Sequence, residues 1–501
     1  MAIRPSHSAG CFACRRMKVK CDGQRPRCTR CGKANRVCPG YRDTSDIQFR
    51  SMNETVTAKC EGFSLTSNRM VDTMSRPTPL IVRPSTAWET NATSHFLHDY
   101  SFNRTKHSPG YLNFLPELLS SASCCEQLKS AVLAAGCASL RNTTGLNSLQ
   151  GRAYRYYGKS LNQVLAASGN SSQAGSDANL TAIIVLQHYE AISDTADLPD
   201  DPHSKGLSEL LRRRRETTVR GHEVARMVRS RQQINEIGGD APSRHEPRSQ
   251  FDFATAELPQ KNIWQLLPEV SRSCGELHFL LSSQILQLYP HHMIINAINR
   301  VSSAYQSLAQ WQSGLPSGRL YQSFTIPEDH EDATNQVTKF PLRYHIFKDV
   351  QQGAVWICFW CAQVYLLQTL VKAAALPSLQ KYFKKEASLQ WGVEKQLHSV
   401  IDNICASVPY MMDDIDQMGL PKIATEGKAL GAFFLTRGLY VANSMSGLTD
   451  TQRSYILETF ERIGHVRGIR LALRARVEWM KRQISKNETG SGYAHRLVPG
   501  E

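Results

Sequence analysis

Six cysteines set the terms for the first tenth of this 501-residue chain. Cys11, Cys14 and Cys21 stand at C-x2-C-x6-C spacing, and Cys28, Cys31 and Cys38 repeat that spacing 17 residues later. A C-x2-C pair brings two sulfurs to one metal ion from a single tight turn. Zn2+ takes four tetrahedral ligands in structural sites, and thiolate is among its usual ones. Six sulfurs cannot fill two separate four-ligand sites. They can if two of them bridge, because four terminal and two bridging sulfurs together make eight bonds to two ions. The expected cofactor is therefore two Zn2+ per chain. A segment this short has too little apolar area to fold alone, so metal binding is expected to supply much of its folding free energy.

The same segment is crowded with cations: Arg15, Arg16, Lys18, Lys20, Arg25, Arg27, Arg30, Lys33 and Arg36. Residues 1–50 hold twelve Lys and Arg against three Asp, which is +9 of the formal +15. Charge so placed points to nucleic acid before a membrane surface. The stretch up to Gly10 is polar and lacks the apolar run of a secretory signal. The other eight of the 14 cysteines are scattered, which suits a reducing compartment. One apolar run, Ala354 to Val371, is about as long as the shortest membrane spans, roughly 17 to 25 residues. Gln363 and Gln368 interrupt it, so a buried core helix is expected and no membrane partner.

Along the chain, residues 1–10 read as a polar arm and 11–42 as the cysteine module. Residues 43–95 read as a short helix followed by a Ser/Thr/Pro/Asn-rich linker. The possible helix, Asp43 to Lys59, supplies barely one heptad, so no coiled coil follows the module. From 96 to 485 helical periodicity dominates, for instance over Tyr154 to Ala167 and Asn179 to Ile192, and then at roughly 272–312, 345–376, 391–412, 427–445 and 450–484. Residues 238–260 read as a flexible insert and 486–501 as a tail. Strand alternation and hairpin dipeptides are scarce. The expected fold is a small two-metal module plus a large all-α domain.

The module resembles the fungal Zn(2)-C6 binuclear zinc cluster of DNA-binding proteins. All six cysteines fall on its pattern. So do the basic run Arg15-Arg16-Met17-Lys18-Val19-Lys20, then Asp22, Pro26, Gly32 and Pro39-Gly40-Tyr41. The resemblance implies that Cys11 and Cys28 bridge, that Cys14 and Cys21 complete one metal site, and that Cys31 and Cys38 complete the other. It implies a helix after Cys14 entering the major groove of double-stranded DNA, with Lys18 reading guanines of a CGG-type triplet and Arg15, Arg16 and Lys20 holding phosphates. Met17 departs from the Lys or Arg of many members. Guanine does present O6 and N7 acceptors that match Lys donors. Residues 96–485 resemble, more diffusely, the helical regulatory region of fungal transcription factors. The patches are Leu186-Gln-His-Tyr-Glu190, His203 to Arg212, Ile404 to Tyr410 and Ile463 to Gly468.

The expectation is thus a nuclear transcription factor, a monomer or homodimer, that regulates metabolic genes and meets co-regulators. The alternative is a zinc-stabilised adaptor that binds proteins and leaves DNA alone. No enzyme is expected: there is no G-x-S-x-G, P-loop or H-E-x-x-H. Asp413, Asp414 and Asp416 read as a solvated helix end. His291 and His292 are adjacent and cannot face one site. Arg212 to Arg215 read as a solvent-facing helix end. Trp356, Phe359, Trp360 and Tyr365 read as core in preference to an inducer pocket.

Overall fold

Two five-residue helices, α1 (Phe12–Arg16) and α2 (Thr29–Lys33), start directly after Cys11 and Cys28. They belong to the first of two compact units, Met1–Leu80 and Ile81–Glu501. The structure, a computed structural model, describes residues 11–24, 27–39, 84–106, 108–121, 125–170, 172–193, 263–282, 289–326, 340–379, 387–422, 427–445 and 447–481, with isolated positions between 195 and 227. The polar arm, the helix proposed at 43–59, most of the linker, Arg212 to Arg215, the insert at 238–260 and the tail lie outside them.

The first described helix of the second unit, α3 (Pro84–Tyr100), starts inside the stretch read as linker and runs past its end at residue 95. There follow α4 (Leu115–Ser120), α5 (Glu126–Thr144), α6 (Gln150–Gly169) and α7 (Asp177–Ser193). Helix α7 is buried from Ala178 through Ile192. A helix buried all round has no solvent face, so it forms the axis of this part of the core. Helix α5 is rich in alanine, and its Gly136 lets α3 come close. A β-carbon there would meet the Ala92 carbonyl oxygen at 2.2 Å.

A second core lies further along the chain. It is built from α8 (Ile263–Leu281), α9 (His291–Ser313), α10 (Val350–Ala374), α11 (Ala387–Ala406), α12 (Val408–Met411), α13 (Ala429–Asn443) and α14 (Asp450–Val466). Residues 470–481 are also helical. The single helix expected near 272–312 is two, with Pro290 as the N-cap of α9. The one expected over 450–484 breaks at Gly468, whose φ is +70°. Helix α10 contains the apolar run. It is long and apolar enough to cross a membrane, yet 78% of its most apolar window is buried within the protein. It is a core helix, with Trp356, Phe359 and Trp360 each about 1% exposed.

Asp349 joins the two cores. It caps α10 by accepting from the Gln352 N–H at 2.8 Å, and it also accepts from Ser108 Oγ at 2.6 Å and Thr105 Oγ1 at 3.0 Å. One carboxylate thus starts the central helix and fastens a turn of the other core to it. Phe433 on α13 completes the joint by stacking on His188 of α7, ring centroids 4.4 Å apart.

The described part of this unit is predominantly helical, with one departure. Strand β1 (Gln322–Thr325) pairs antiparallel with β2 (Arg343–Ile346), Gln322 opposite Ile346 and Thr325 opposite Arg343. All four β1 residues are exposed, so no apolar alternation announces the strand. From β2, His345 reaches Asn403 Oδ1 on α11 at 3.1 Å and is 1% exposed. Burial first, then the nearby Arg343 charge, lowers its pKa to about 4. The unfolded imidazole titrates near 6.5. As pH falls below that value the unfolded chain takes up a proton that the folded one refuses. His345 therefore leaves stability flat above about pH 7 and erodes it between about pH 6.5 and 4, by about 3 kcal/mol in all. Urea midpoints across that range should fall for the native chain and fall less for His345→Gln. Parallel slopes would assign the acid sensitivity to other groups.

Candidate metal centre and nucleic-acid interface

The 17-residue repeat of the cysteines is also a repeat of the backbone. The Met17 N–H bonds to the Ala13 carbonyl at 3.1 Å, and the Ala34 N–H to the Arg30 carbonyl at 3.2 Å. The Val19 N–H reaches the Cys14 carbonyl at 3.0 Å, and the Arg36 N–H reaches Cys31 at 3.0 Å. Lys18 has φ +53° and Asn35, its mate, φ +50°. Each half is a one-turn helix closed by a left-handed residue. For a side chain other than glycine that conformation costs about 1–2 kcal/mol, least for Asn.

Each half also opens in the same way. Cys11 Sγ accepts the Cys14 N–H at 3.4 Å, and Cys28 Sγ accepts the Cys31 N–H at 3.3 Å. The first cysteine of each trio therefore caps its own helix while presenting its sulfur to the middle of the module. There Cys11 and Cys28 Sγ lie 3.6 Å apart. Cys11 to Cys31 is 3.8 Å, and Cys14 to Cys28 is also 3.8 Å. Tetrahedral Zn–S bonds of about 2.3 Å place neighbouring sulfurs about 3.8 Å apart. Two four-sulfur groups arise, each with its sulfurs within 4.8 Å of one another: Cys11, Cys14, Cys21 and Cys28, and Cys11, Cys28, Cys31 and Cys38. They share Cys11 and Cys28.

Electrostatics agrees with a cation at the centre. Burial and the adjacent Cys11 push the Cys14 thiol up to about 12. The Cys31 N–H pulls Cys28 down, but burial and the neighbouring sulfurs outweigh it and the thiol is raised. Cys31 is drawn down by its contact with Cys28, yet burial and Cys11 leave it raised as well. Cys21, nearer solvent, is lowered to about 6 by N–H donors of Cys11 and Gly23. Sulfurs packed this closely repel one another as thiolates. A divalent ion removes the repulsion and deprotonates its thiol ligands. The donor set fits Zn2+.

Arg16, Lys18 and Lys20 are exposed, as are Met17 and Val19. The backbone of Arg15 lies in α1. The helix expected after Cys14 in fact starts at Phe12 and contains Cys14, and Lys18 lies beyond its end, at the left-handed turn. The sequence reading missed one polar contact. Asp22 Oδ2 accepts the Thr29 N–H at 3.0 Å and the Thr29 hydroxyl, tying the end of the first half to the start of the second. The sequence offers Asp22 only as a match to the cluster pattern, and it is also the one acidic residue between Cys11 and Cys38.

Comparison with known proteins bears on this module. Residues 9–47 match the fungal Zn(2)-Cys(6) binuclear cluster domain. That cluster domain is a zinc-binding, DNA-binding class, and the similar proteins are named as regulators. The aspercryptin biosynthesis cluster-specific transcription regulator atnN of Emericella nidulans is 33% identical over 75 residues, 15% of this chain and 12% of that protein. White-opaque regulator 2 of Candida albicans is 39% identical over 51 residues, 10% of this chain and 11% of that one. Transcriptional regulatory protein moc3 of Schizosaccharomyces pombe is 47% identical over 43 residues, 9% and 8% of the two chains. The matches thus span no more than 12% of any of these relatives' own lengths. No solved structure matches the chain significantly.

The other residues weighed in the sequence take structural places. Asp413 pairs with Lys422 at 2.6 Å and Asp414 with Arg462 at 2.7 Å, while Asp416 accepts the N–H groups of Met418 and Leu420. These acids shape a loop. His291 and His292 are exposed on the first turn of α9. The closing Ile463 to Gly468 patch contains Arg467, 3% exposed, which donates to the carbonyls of Met412 and Gly427 and ties the end of α14 to the loop after α12.

Proposed function

We propose that this chain is a nuclear, sequence-specific DNA-binding regulator of transcription. The carrying observation is the pair of four-sulfur groups sharing Cys11 and Cys28, in a module whose Arg16, Lys18 and Lys20 are exposed. Two Zn2+ ions are held, one by Cys11, Cys28, Cys14 and Cys21, the other by Cys11, Cys28, Cys31 and Cys38. Zinc here is structural. It neutralises the thiolates and locks both helical turns in place.

The residues around the cluster meet the DNA. Lys18 offers its amine to guanine O6 and N7 in a CGG-like triplet. Arg15, Arg16 and Lys20 hold phosphates and release counterions, so affinity falls with salt. The helical unit is the regulatory region and meets co-regulators, and the chain acts as a monomer or through a homodimer of that unit. Metabolic genes are the proposed targets. The name of the Emericella nidulans relative, which specifies a biosynthesis cluster, supports this choice.

Selection of full-length protein against random duplexes tests the reading. The recovered pool should be rich in CGG-like triplets, and a zinc chelator should abolish the enrichment. A pool no different from the input overturns DNA recognition and favours a protein-binding adaptor. Within the same assay Lys18→Ala should lose about 1–3 kcal/mol of discrimination at the triplet. Arg16→Ala should weaken all sequences evenly and lower the salt slope by about 1. Unchanged base preference in Lys18→Ala would remove it as the reader.

A further inference from the structure

We infer that Asp22 is a positioning residue for DNA binding, acting through Thr29. This rests on the DNA-binding reading above. Asp22 presents a puzzle in charge. It is the single carboxylate among nine Lys and Arg between Cys11 and Cys38, and it follows Cys21, a member of one four-sulfur group. A negative charge close to a bound polyanion weakens its binding. On Coulomb's law alone the module would do better without it.

The geometry gives the compensation. Asp22 Oδ2 takes two donors from Thr29, the backbone N–H at 3.0 Å and the side-chain hydroxyl. Thr29 is the first residue of α2 and follows Cys28, one of the two cysteines common to both groups. Asp22 ends the stretch that carries Lys18 and Lys20. The carboxylate therefore spans from the Lys18–Cys21 segment to the start of the second helix, independently of any metal bond. Residue 39, the 17-residue mate of Asp22, is Pro39 and has no such side chain. The tie exists on one side of the repeat only, the side with Lys18 at its left-handed turn. Bonds between a carboxylate and N–H or O–H donors are among the stronger hydrogen bonds, and this one adds to the Val19 N–H bond to the Cys14 carbonyl and the Cys11 N–H bond to the Cys21 sulfur. Held in this way, the Lys18 and Lys20 backbone meets a duplex already ordered, and less freedom is lost on binding.

Charge and position predict opposite signs, and this makes the idea testable in the full-length chain. Asp22→Ala and Asp22→Asn both remove one negative charge, so charge alone makes both bind duplex DNA more tightly. Positioning makes Asp22→Ala about tenfold weaker, with a salt slope lower by about 1 as a lysine contact is lost. Asp22→Asn keeps an acceptor for the Thr29 N–H and should bind within about threefold of the native chain. Thr29→Val, which keeps the N–H and loses the hydroxyl, should lie between. Zinc content should stay at the native value in all three. Equal or tighter binding by Asp22→Ala overturns the proposal. So does loss of zinc from Asp22→Ala, which would make the residue part of the fold instead. The native chain serves as the control for the underlying reading. If it shows no preference for any duplex, DNA recognition fails. The role of Asp22 is then read from the rate of zinc transfer to a chelator, which the tie should slow and Asp22→Ala should quicken. An unchanged rate overturns the tie as well.

Discussion

On the proposed two-zinc cluster, serine in place of Cys28 should strip both zinc ions from the chain, whereas serine in place of Cys38 should strip one. Cys28 belongs to both four-sulfur groups, and Cys38 belongs to one. Cys28 also caps α2 by accepting the Cys31 N–H at 3.3 Å. On the proposed cluster its loss leaves each ion with three sulfurs, and it removes the cap of the second helix. Serine oxygen is a poor replacement, because the site is set for soft thiolate. With the metal gone, too little apolar surface remains to hold the module. Specific DNA binding should then fall by a factor of about 1,000 or more, to the level of non-specific attraction. Cys11→Ser should behave as Cys28→Ser does. Metal analysis of the purified full-length variants, followed by duplex titration, decides the matter. Equal zinc content for Cys28→Ser and Cys38→Ser would show that the sulfurs are not shared.

Trp356→Ala should destabilise the helical unit by about 3–5 kcal/mol, a large part of the roughly 5–15 kcal/mol that holds a domain together. The indole is 1% exposed and lies within 6 Å of the rings of Tyr321, Phe359, Trp360 and Trp311, with centroid distances of 4.7, 5.3, 5.8 and 5.8 Å. Its Nε1–H donates to the Arg319 carbonyl at 3.1 Å, so truncation opens a cavity and leaves an acceptor without its donor. Leu165→Ala makes a suitable control, since that side chain is 64% exposed and its loss should change stability by less than about 0.5 kcal/mol. Urea unfolding followed by far-ultraviolet circular dichroism gives both values. Zinc content should not change, because the six cysteines belong to the other compact unit. A Trp356→Ala midpoint close to the control would mean that the aromatic stripe of α10 is not core.

Spacing carried more of this protein than composition did. The cysteine repeat was legible because metal chemistry tolerates few sulfur arrangements, and counting bonds alone pointed to two bridging ligands. The two four-sulfur groups that share Cys11 and Cys28 lie where that count leads. The burial of α10 was legible from Gln363 and Gln368, which break an otherwise membrane-like run. What escaped depends on contacts between distant residues. Nothing around Lys18 marks a left-handed turn, because the Asn or Gly that would signal one stands 17 residues later, at Asn35. The β1–β2 pair escaped because each strand has only four residues and β1 faces solvent throughout. The division of one apolar stretch into α8 and α9 was blurred because both share its periodicity, and only Pro290 marks the start of the second. Asp349 was unremarkable in the sequence. Its partners Thr105 and Ser108 are over 240 residues away, a separation no local pattern can report.

The matched turns at Lys18 and Asn35 have one more consequence. Two copies of one backbone unit could, by themselves, be entered from either end. The side chains at the equivalent turns remove that ambiguity, since one copy ends in a cation and the other in a neutral amide. The duplicated frame supplies stiffness, and the unequal pair of side chains gives it a front and a back. On the proposed function, a single chain then has one preferred orientation along a duplex. A target that reads the same on both strands would have to engage two chains facing each other, so the symmetry of the recovered site would report how many chains bind it.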